Sequence, residues 1–297
     1  MFVLLNDTDK IEFDRSNYVL TTVDYGAIGA THSTAKGVAQ VGERLISTAL
    51  DTRDVSIVGF IRSYAPPGLK PYEREEWLEK EMKAKKARIL QMCDPRRSFR
   101  IQVNKSLVLN CNATATVKFA PSKLINNTRV AQFVIDAFCP DPLFADAVAK
   151  YAKIIELKSN FTWPLEIPDT GFTFAEYSDA KIAELKNGGD IETGLLIHFY
   201  AGATVQNPAL TDVATGEYIK LNHTFAPGET VVVNTNYGQE SVTSYNGAAV
   251  IDKINTLDLS SSFLQARPGS TKLHFDALSN SVAMTVTIYY HQRYLGV

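Results

Sequence analysis

Cysteine is scarce in this sequence: Cys93, Cys111 and Cys139 are the whole complement among 297 residues, widely spaced and without a C-x-x-C pair. An odd count at such spacing suggests neither a disulfide framework nor a zinc site, and a reducing compartment fits it best. Long hydrophobic runs are missing as well. No 18 apolar residues run together, and the most apolar segment, 129–144, is broken by Gln132, Asp136 and Pro140, so no membrane span is expected. The start has only a five-residue apolar stretch and no basic leader, so no signal sequence is expected either. N-x-[ST] sequons begin at Asn104, Asn112, Asn126, Asn160 and Asn222, among others; without secretion they read as asparagines of turns and strands. Nor is there an excess of one charge. Thirty Lys+Arg stand against 32 Asp+Glu, a formal charge of −2.

What is present is ordinary globular usage, with 45% hydrophobic and 21% charged residues. At about 150 residues per domain the length suggests two domains, each able to bury roughly 70% of its unfolded surface. Charge divides them: residues 1–150 carry 21 Lys+Arg and 17 Asp+Glu, while residues 151–297 carry 9 and 15. Between the halves lie Pro140, Pro142, Pro164 and Pro168, which interrupt both helix and ladder. The expected division is a first domain over 1–145, a linker over 146–171 that starts with a short helical patch at 145–155, and a second domain over 172–297. The final strand, 282–297, has two places open to it, in the second domain or back in the first.

In the first half, residues 73–92 predict a helix, with strong helix formers throughout and Pro71 just ahead. Trp77/Leu78, Met82, Ile89 and Met92/Cys93 make a narrow apolar stripe, and Glu76–Lys80, Glu79–Lys83 and Glu81–Lys85 are i, i+4 pairs. Strands are expected at 55–62, 99–103, 107–110, 114–119 and 130–138. One helix among many strands makes this half α+β. Residues 24–42 hold Gly26, Gly29, Gly37 and Gly42 and few large apolar side chains, and read as a long loop or extended arm.

From residue 171 onward nearly everything reads as short strands between turn signals such as Asn187-Gly188-Gly189, Pro227-Gly228, Asn246-Gly247 and Pro268-Gly269. Strands are expected at 172–174, 194–200, 209–213, 217–221, 230–234, 240–245, 272–276 and 282–290, the spacing of a sandwich or jelly roll. No repeat of fixed period occurs.

Catalytic signatures are absent: no P-loop, no dinucleotide fingerprint, no H-E-x-x-H and no G-x-S-x-G. His32, His198, His223, His274 and His291 are scattered, and none is expected to hold a metal; no cofactor is expected. Asp136/Asp141 and Glu166/Asp169 suit a glycosidase only if they face each other across a cleft, and strand-end or turn acids are the plainer reading. Cys111 and Cys139 sit in apolar strand patterns typical of buried, unreactive thiols. The cluster Lys80, Lys83, Lys85, Lys86, Arg88, Arg96, Arg97 and Arg100 could grip phosphates, but its first part is an ion-paired helix end and the chain's pI is only 6.2. A binding or assembly protein, not an enzyme, is what remains.

Several segments carry a family resemblance. Residues 43–62 look like the strand–turn–strand of distal tail proteins of long-tailed, non-contractile bacteriophages, which similarly follow it with a helix ending near an Asn- or Asp-Pro pair, here Asp94-Pro95. Residues 131–144 are similar to their strand leading into the second domain. The stretch 207–221, with Asn207-Pro208 and Thr215-Gly216-Glu217, then 228–235, 263–269 and the closing Tyr290-His291-Gln292-Arg293-Tyr294-Leu295, resemble theirs in order. An insertion at 64–72 and a long linker holding Trp163 depart from the pattern.

The resemblance implies a mostly β chain with one main helix: an α+β ring-forming domain followed by a galectin-like β-sandwich. It implies a virion structural protein, made in the bacterial cytoplasm, that forms a homo-hexameric ring at the tail tip. Its partners would be the tail tube protein, the tail-associated hub protein and receptor-binding proteins. DNA would pass through the ring without specific binding, which requires the basic cluster to be ion-paired or turned from the lumen. Gly26, Gly29, Thr31, His32, Gly37 and Gln40 of the arm are the expected clasp onto a neighbouring copy. The rival reading is an adhesion module that binds cell-wall polysaccharide through the sandwich, although only Asn222-His223-Thr224 hints at a sugar site. A glycan-cutting enzyme ranks last.

Overall fold

The protein was analysed as a computed structural model, which describes residues 1–154, 157–159, 175–177, 181–247 and 249–297. It divides into two compact units, one of Met1–Ala147 with Leu295–Val297 and one of Val148–Tyr294. The expected strand 172–174, Trp163, Glu166 and Asp169 lie outside the described residues.

The first unit contains β1 (Phe2–Leu5), β2 (Lys10–Phe13), β3 (Tyr18–Asp24), β4 (Ala30–Ala35), β5 (Arg44–Leu50), β6 (Arg53–Arg62), α1 (Pro71–Met92), β7 (Ser98–Val103), β8 (Leu107–Ala113), β9 (Lys118–Phe119), β10 (Val130–Cys139) and β11 (Phe144–Asp146). Its main sheet runs β2-β1-β7-β8-β10-β6-β3, with β9 beside β10 and β11 beside β8. Along β6 and β10 every second residue is buried, the period a half-buried strand requires. Ile57, Ile61, Phe133 and Ile135 thereby face the core together. Pro71 opens α1 at a position where its missing N–H costs nothing, and the Glu73 carboxylate accepts a bond of 3.0 Å from the Lys70 backbone N–H. The helix buries Leu78, Met82, Ile89 and Met92, one stripe at helical spacing.

The second unit is a β-sandwich. Its described strands are β12 (Lys150–Ile154), β13 (Leu157–Ser159), β14 (Ala175–Tyr177), β15 (Ile182–Asn187), β16 (Thr193–Gly194), β17 (Leu196–Ala201), β18 (Val205–Asp212), β19 (Tyr218–Lys220), β20 (Thr224–Phe225), β21 (Thr230–Asn234), β22 (Ser241–Asn246), β23 (Ala249–Asp252), β24 (Gln265–Ala266), β25 (Gly269–Ser279) and β26 (Met284–Tyr290). One sheet runs β12-β26-β17-β21-β22-β23 and the other β15-β25-β18-β19, with β20 beside β18. Ile197, Phe199, Val233 and Ile288 of the first meet Leu185, Leu210, Leu273 and Phe275 of the second in one core.

Two expectations need correction. Over its described residues, 145–154, the helical patch expected at 145–155 is not helical: β12 pairs antiparallel with β26 from Lys150↔Tyr290 to Ile154↔Val286, and that ladder overrides the helix propensity of its alanines. Of the strand expected over 114–119 only Lys118–Phe119 joins a ladder. Of the two readings of 24–42, a long loop or an extended arm, the second describes it: the segment contains a strand, β4, which pairs with β5 to make a hairpin.

Candidate oligomer interface

The six arm residues singled out in the sequence fall on this one hairpin. β4 and β5 pair from Ala30↔Leu50 to Ala35↔Arg44, with a register shift between Ser33 and Thr34, and form a two-stranded sheet of their own. Gly26 marks its base: φ is +61°, and a Cβ there would stand 2.2 Å from the Asp54 carbonyl oxygen, so only glycine lets the chain leave β3 this way. Asp51 N–H donates to the Gly29 carbonyl at 2.9 Å, closing the two strands just above. At the tip, Gly37 and Gln40 bond reciprocally: Gly37 N–H donates to the Gln40 side chain at 2.9 Å and Gln40 N–H to the Gly37 carbonyl at 3.2 Å.

Across the strands the polar side chains bond one another. Thr31 donates to the Asp51 carboxylate at 2.8 Å, His32 Nδ1 meets Thr48 Oγ1 at 2.9 Å, and Thr34 donates to Glu43. These cross-strand bonds hold the ribbon in register, yet every residue of β4 and β5 is exposed. Val38 and Val41 at the tip are fully exposed, and Leu45 and Ile46 are more than half exposed. A lone two-stranded ribbon is marginal in water, and an uncovered ribbon edge is a template for pairing with another chain. What this arrangement can do is bind protein. The residues that sequence reasoning missed are the apolar ones, Leu45, Ile46 and Leu50; the run Arg44-Leu45-Ile46-Ser47 breaks the alternation by which a strand's faces are read.

Of the basic cluster, Lys85, Lys86, Arg88 and Arg96 are engaged in structure, whereas Lys80, Lys83, Arg97 and Arg100 form no ion pair among the described residues, so the expected Glu76–Lys80 and Glu79–Lys83 pairs are not made. Arg88 is bonded to Asp9 at 2.7 Å, Lys85 lies 3.2 Å from Glu81, and Arg96 is bonded to Asp94 at 2.7 Å. Lys86 donates to the Asn126 side chain at 2.6 Å and lies 5.1 Å over the Phe119 ring. Asp136 accepts from Lys118 at 2.8 Å and from Ser56 at 3.1 Å, and the Lys118 bond, against some burial, holds its carboxyl below the usual range. That is an ion-paired strand acid.

In the second unit His223 is turned to the buried Glu229 at 2.9 Å. Burial opposes ionisation of Glu229, but bonds from Ser244, the Ala226 N–H and His223 outweigh it and hold its carboxyl low. An open cleft of about 480 Å³ on the β26-β17-β21 sheet is lined by Leu196, His198, Asn234 and Tyr289. Its His198 stands edge-on to Tyr289 at 5.1 Å, and burial lowers the imidazole's pKa. Among the described residues no group of three or more His, Cys, Asp or Glu is arranged to hold a metal ion. Cys111 and Cys139 are buried and unbonded, as their apolar strand patterns imply, and although distant in the chain they are neighbours with Sγ atoms 2.8 Å apart.

Residues 188–294 match the family described as siphovirus-type tail component, C-terminal domain. No curated protein matches the chain. Among solved structures, the Dit protein (gp 19.1) of phage SPP1, described as a paradigm of hub adsorption apparatus in phages infecting Gram-positive hosts, is 12% identical. The likeness covers 99% of both chains with a TM-score of 0.65. A chain of the phage P2 baseplate in its activated conformation with Ca matches at 9% identity over 98% of this chain and 97% of its own, with a TM-score of 0.47, which is too low to bear on the argument. The resemblance to siphophage distal tail proteins thus holds by family over most of the sandwich unit and by mostly β fold over the whole chain.

Proposed function

We propose that this chain is a structural, non-enzymatic protein of a siphophage virion, and that six copies close into a ring at the distal end of the tail tube. The β4–β5 hairpin carries this reading. It is a shaped ribbon with exposed apolar side chains and open edges, on the unit that the resemblance assigns to ring formation. Head-to-tail contacts between identical chains close when each rotation is fixed, and a ribbon reaching onto the next copy fixes it. Gly26, Gly29, Thr31, His32, Gly37 and Gln40 set the ribbon's shape, while Val38, Val41, Leu45 and Ile46 supply area to cover.

The tail tube protein, the hub protein and receptor-binding proteins are the proposed neighbours, with the sandwich as docking platform. Passage of DNA suits the pairing of Lys85, Arg88 and Arg96 with carboxylates, since neutralised bases retain phosphate less. Light scattering across a concentration series with negative-stain imaging tests the ring. Open-centred particles support it, and closed two-fold dimers as the largest species would overturn it.

The cleft beside His198 and Tyr289 favours one second reading, binding of cell-wall polysaccharide, because aromatic ring faces and amides are the groups that hold sugar. A glycan array probed with the full chain decides it. Hits that disappear in Tyr289→Ala keep the reading, and an empty array retires it.

A further inference from the structure

Along the strand path β2-β1-β7-β8-β10-β6-β3 the join between β8 and β10 is the shortest. β10 runs beside β6 from Val130↔Arg62 to Cys139↔Arg53, and β7 beside β8 from Ser98↔Asn112 to Val103↔Leu107. β8 and β10 are paired only at Ala137↔Ala113 and Phe138↔Asn112. Strands β2, β1 and β7 reach β6 and β3 through that seam.

One residue further along the same register stand Cys139 and Cys111, opposite each other on the buried face. Both are fully enclosed, and their Sγ atoms are 2.8 Å apart without a bond. On the other side of Cys139, across β6, is Arg53, 3% exposed. Its guanidinium donates to the Leu295 carbonyl and lies 4.9 Å from the Phe144 ring, but its Nε has no hydrogen-bond partner. The contact with Cys139 and burial push the Cys111 thiol up, and the Arg53 cation only partly opposes them, so while enclosed it is a thiol and it ionises only when the seam opens to solvent. Cys93, the third cysteine, is buried and has no such neighbour across a ladder.

We propose that Cys111 and Cys139 are a redox-active pair that closes to an intrachain disulfide across the β8–β10 seam, with a peroxide as oxidant. One thiol loses its proton to solvent during local opening, and the thiolate sulfur attacks one peroxide oxygen. The O–O bond breaks, leaving a sulfenic acid on the protein and hydroxide, which takes up a proton to become water. The second sulfur then attacks the sulfenic sulfur, its thiol proton leaves with the departing hydroxyl as a second water, and the S–S bond forms. The two thiols have lost two electrons together and the peroxide has gained them. Placement opposite each other on adjacent antiparallel strands keeps the second sulfur in reach, so bridging outruns further oxidation. The bridge staples the sheet where that strand path has its shortest join. On the reading proposed above, the pair stays open in a reducing cytoplasm and closes after release of the particle.

The test uses the full chain, reduced and then treated with hydrogen peroxide, unfolded without reductant, alkylated with iodoacetamide and weighed intact. The expected result is one carbamidomethyl group, on Cys93, in place of three, with a peptide joining Cys111 to Cys139 that a phosphine separates. The melting midpoint should rise by several degrees on oxidation and stay unmoved in Cys139→Ala. Three alkylated cysteines after peroxide, or sulfinic acid without a bridge, would overturn the proposal. The mass measurement on wild type decides even where the variant fails to fold, and it reads the isolated chain, so the ring can fail without touching it.

Discussion

Arg88 on α1 holds Asp9, in the turn between β1 and β2, with two parallel hydrogen bonds of 2.7 Å, from Nε to Oδ2 and from Nη2 to Oδ1. The same guanidinium donates to the Lys10 carbonyl at 2.7 Å, so one side chain ties the helix to the sheet's first turn. The bond to Arg88 holds the Asp9 carboxyl below its usual range, against some burial. A depressed carboxylate stabilises the fold above its unfolded pKa, and the contribution is lost as pH falls through the folded value. Both groups are about two-fifths exposed, so solvent screening keeps the pair below about 1 kcal/mol. Urea unfolding of Arg88→Gln should show a loss of that size at neutral pH and a smaller one in acid, where the bond to the Lys10 carbonyl remains.

Glu229 should matter more, because it is buried and its two oxygens accept from Ser244 at 2.6 Å, His223 at 2.9 Å and the Ala226 N–H at 3.0 Å. Glu229→Ala leaves those donors unsatisfied inside the sandwich, at a cost of about 1–3 kcal/mol. Its carboxyl is held low in the fold, so the stability it adds is fully present above the unfolded carboxylate pKa and is lost as pH falls through the lower folded value. Denaturant melts of wild type and variant should therefore diverge above about pH 5 and converge in acid. Parallel curves at every pH would contradict this.

Ile46→Glu combined with Leu45→Ser should abolish assembly and leave the monomer's unfolding free energy within about 0.5 kcal/mol of wild type, since neither side chain is buried in the monomer. Sedimentation velocity and chemical unfolding read the two effects separately. A large loss of monomer stability would mean that the ribbon is covered by its own chain.

Gly26→Ala forces a side chain into positive φ and against the Asp54 carbonyl. The expected cost is above about 1 kcal/mol, confined to the hairpin base. Hydrogen exchange should accelerate at the Asp51 amide, which donates to Gly29, and stay unchanged along β26.

Much of this fold is legible in the sequence where local and tertiary preferences agree. α1 announces itself through its charge pattern and Pro71, and β21 occupies 230–234 as its Val-rich run between Pro227-Gly228 and Tyr237-Gly238 implies. Alternation failed where strands are short or wholly exposed. β4 and β5 bury neither face, so no period marks them; β5 was legible only through the family resemblance of 43–62, and the glycines around β4 made it look like loop or arm. β12 is extended because β26 offers it a ladder, a partner more than a hundred residues away that no local window contains. The cysteine pair was hidden for the same reason: only the register of β8 on β10 shows that residues 111 and 139 meet.

The central claim is that the uncovered hairpin closes six copies into a ring, and native mass spectrometry across a concentration series tests it most directly. The account requires a sixfold mass for the wild-type chain and loss of that species when residues 30–50 are replaced by a short glycine linker. A chain that stays monomeric or stops at two copies, or a sixfold complex that survives removal of the hairpin, would contradict it.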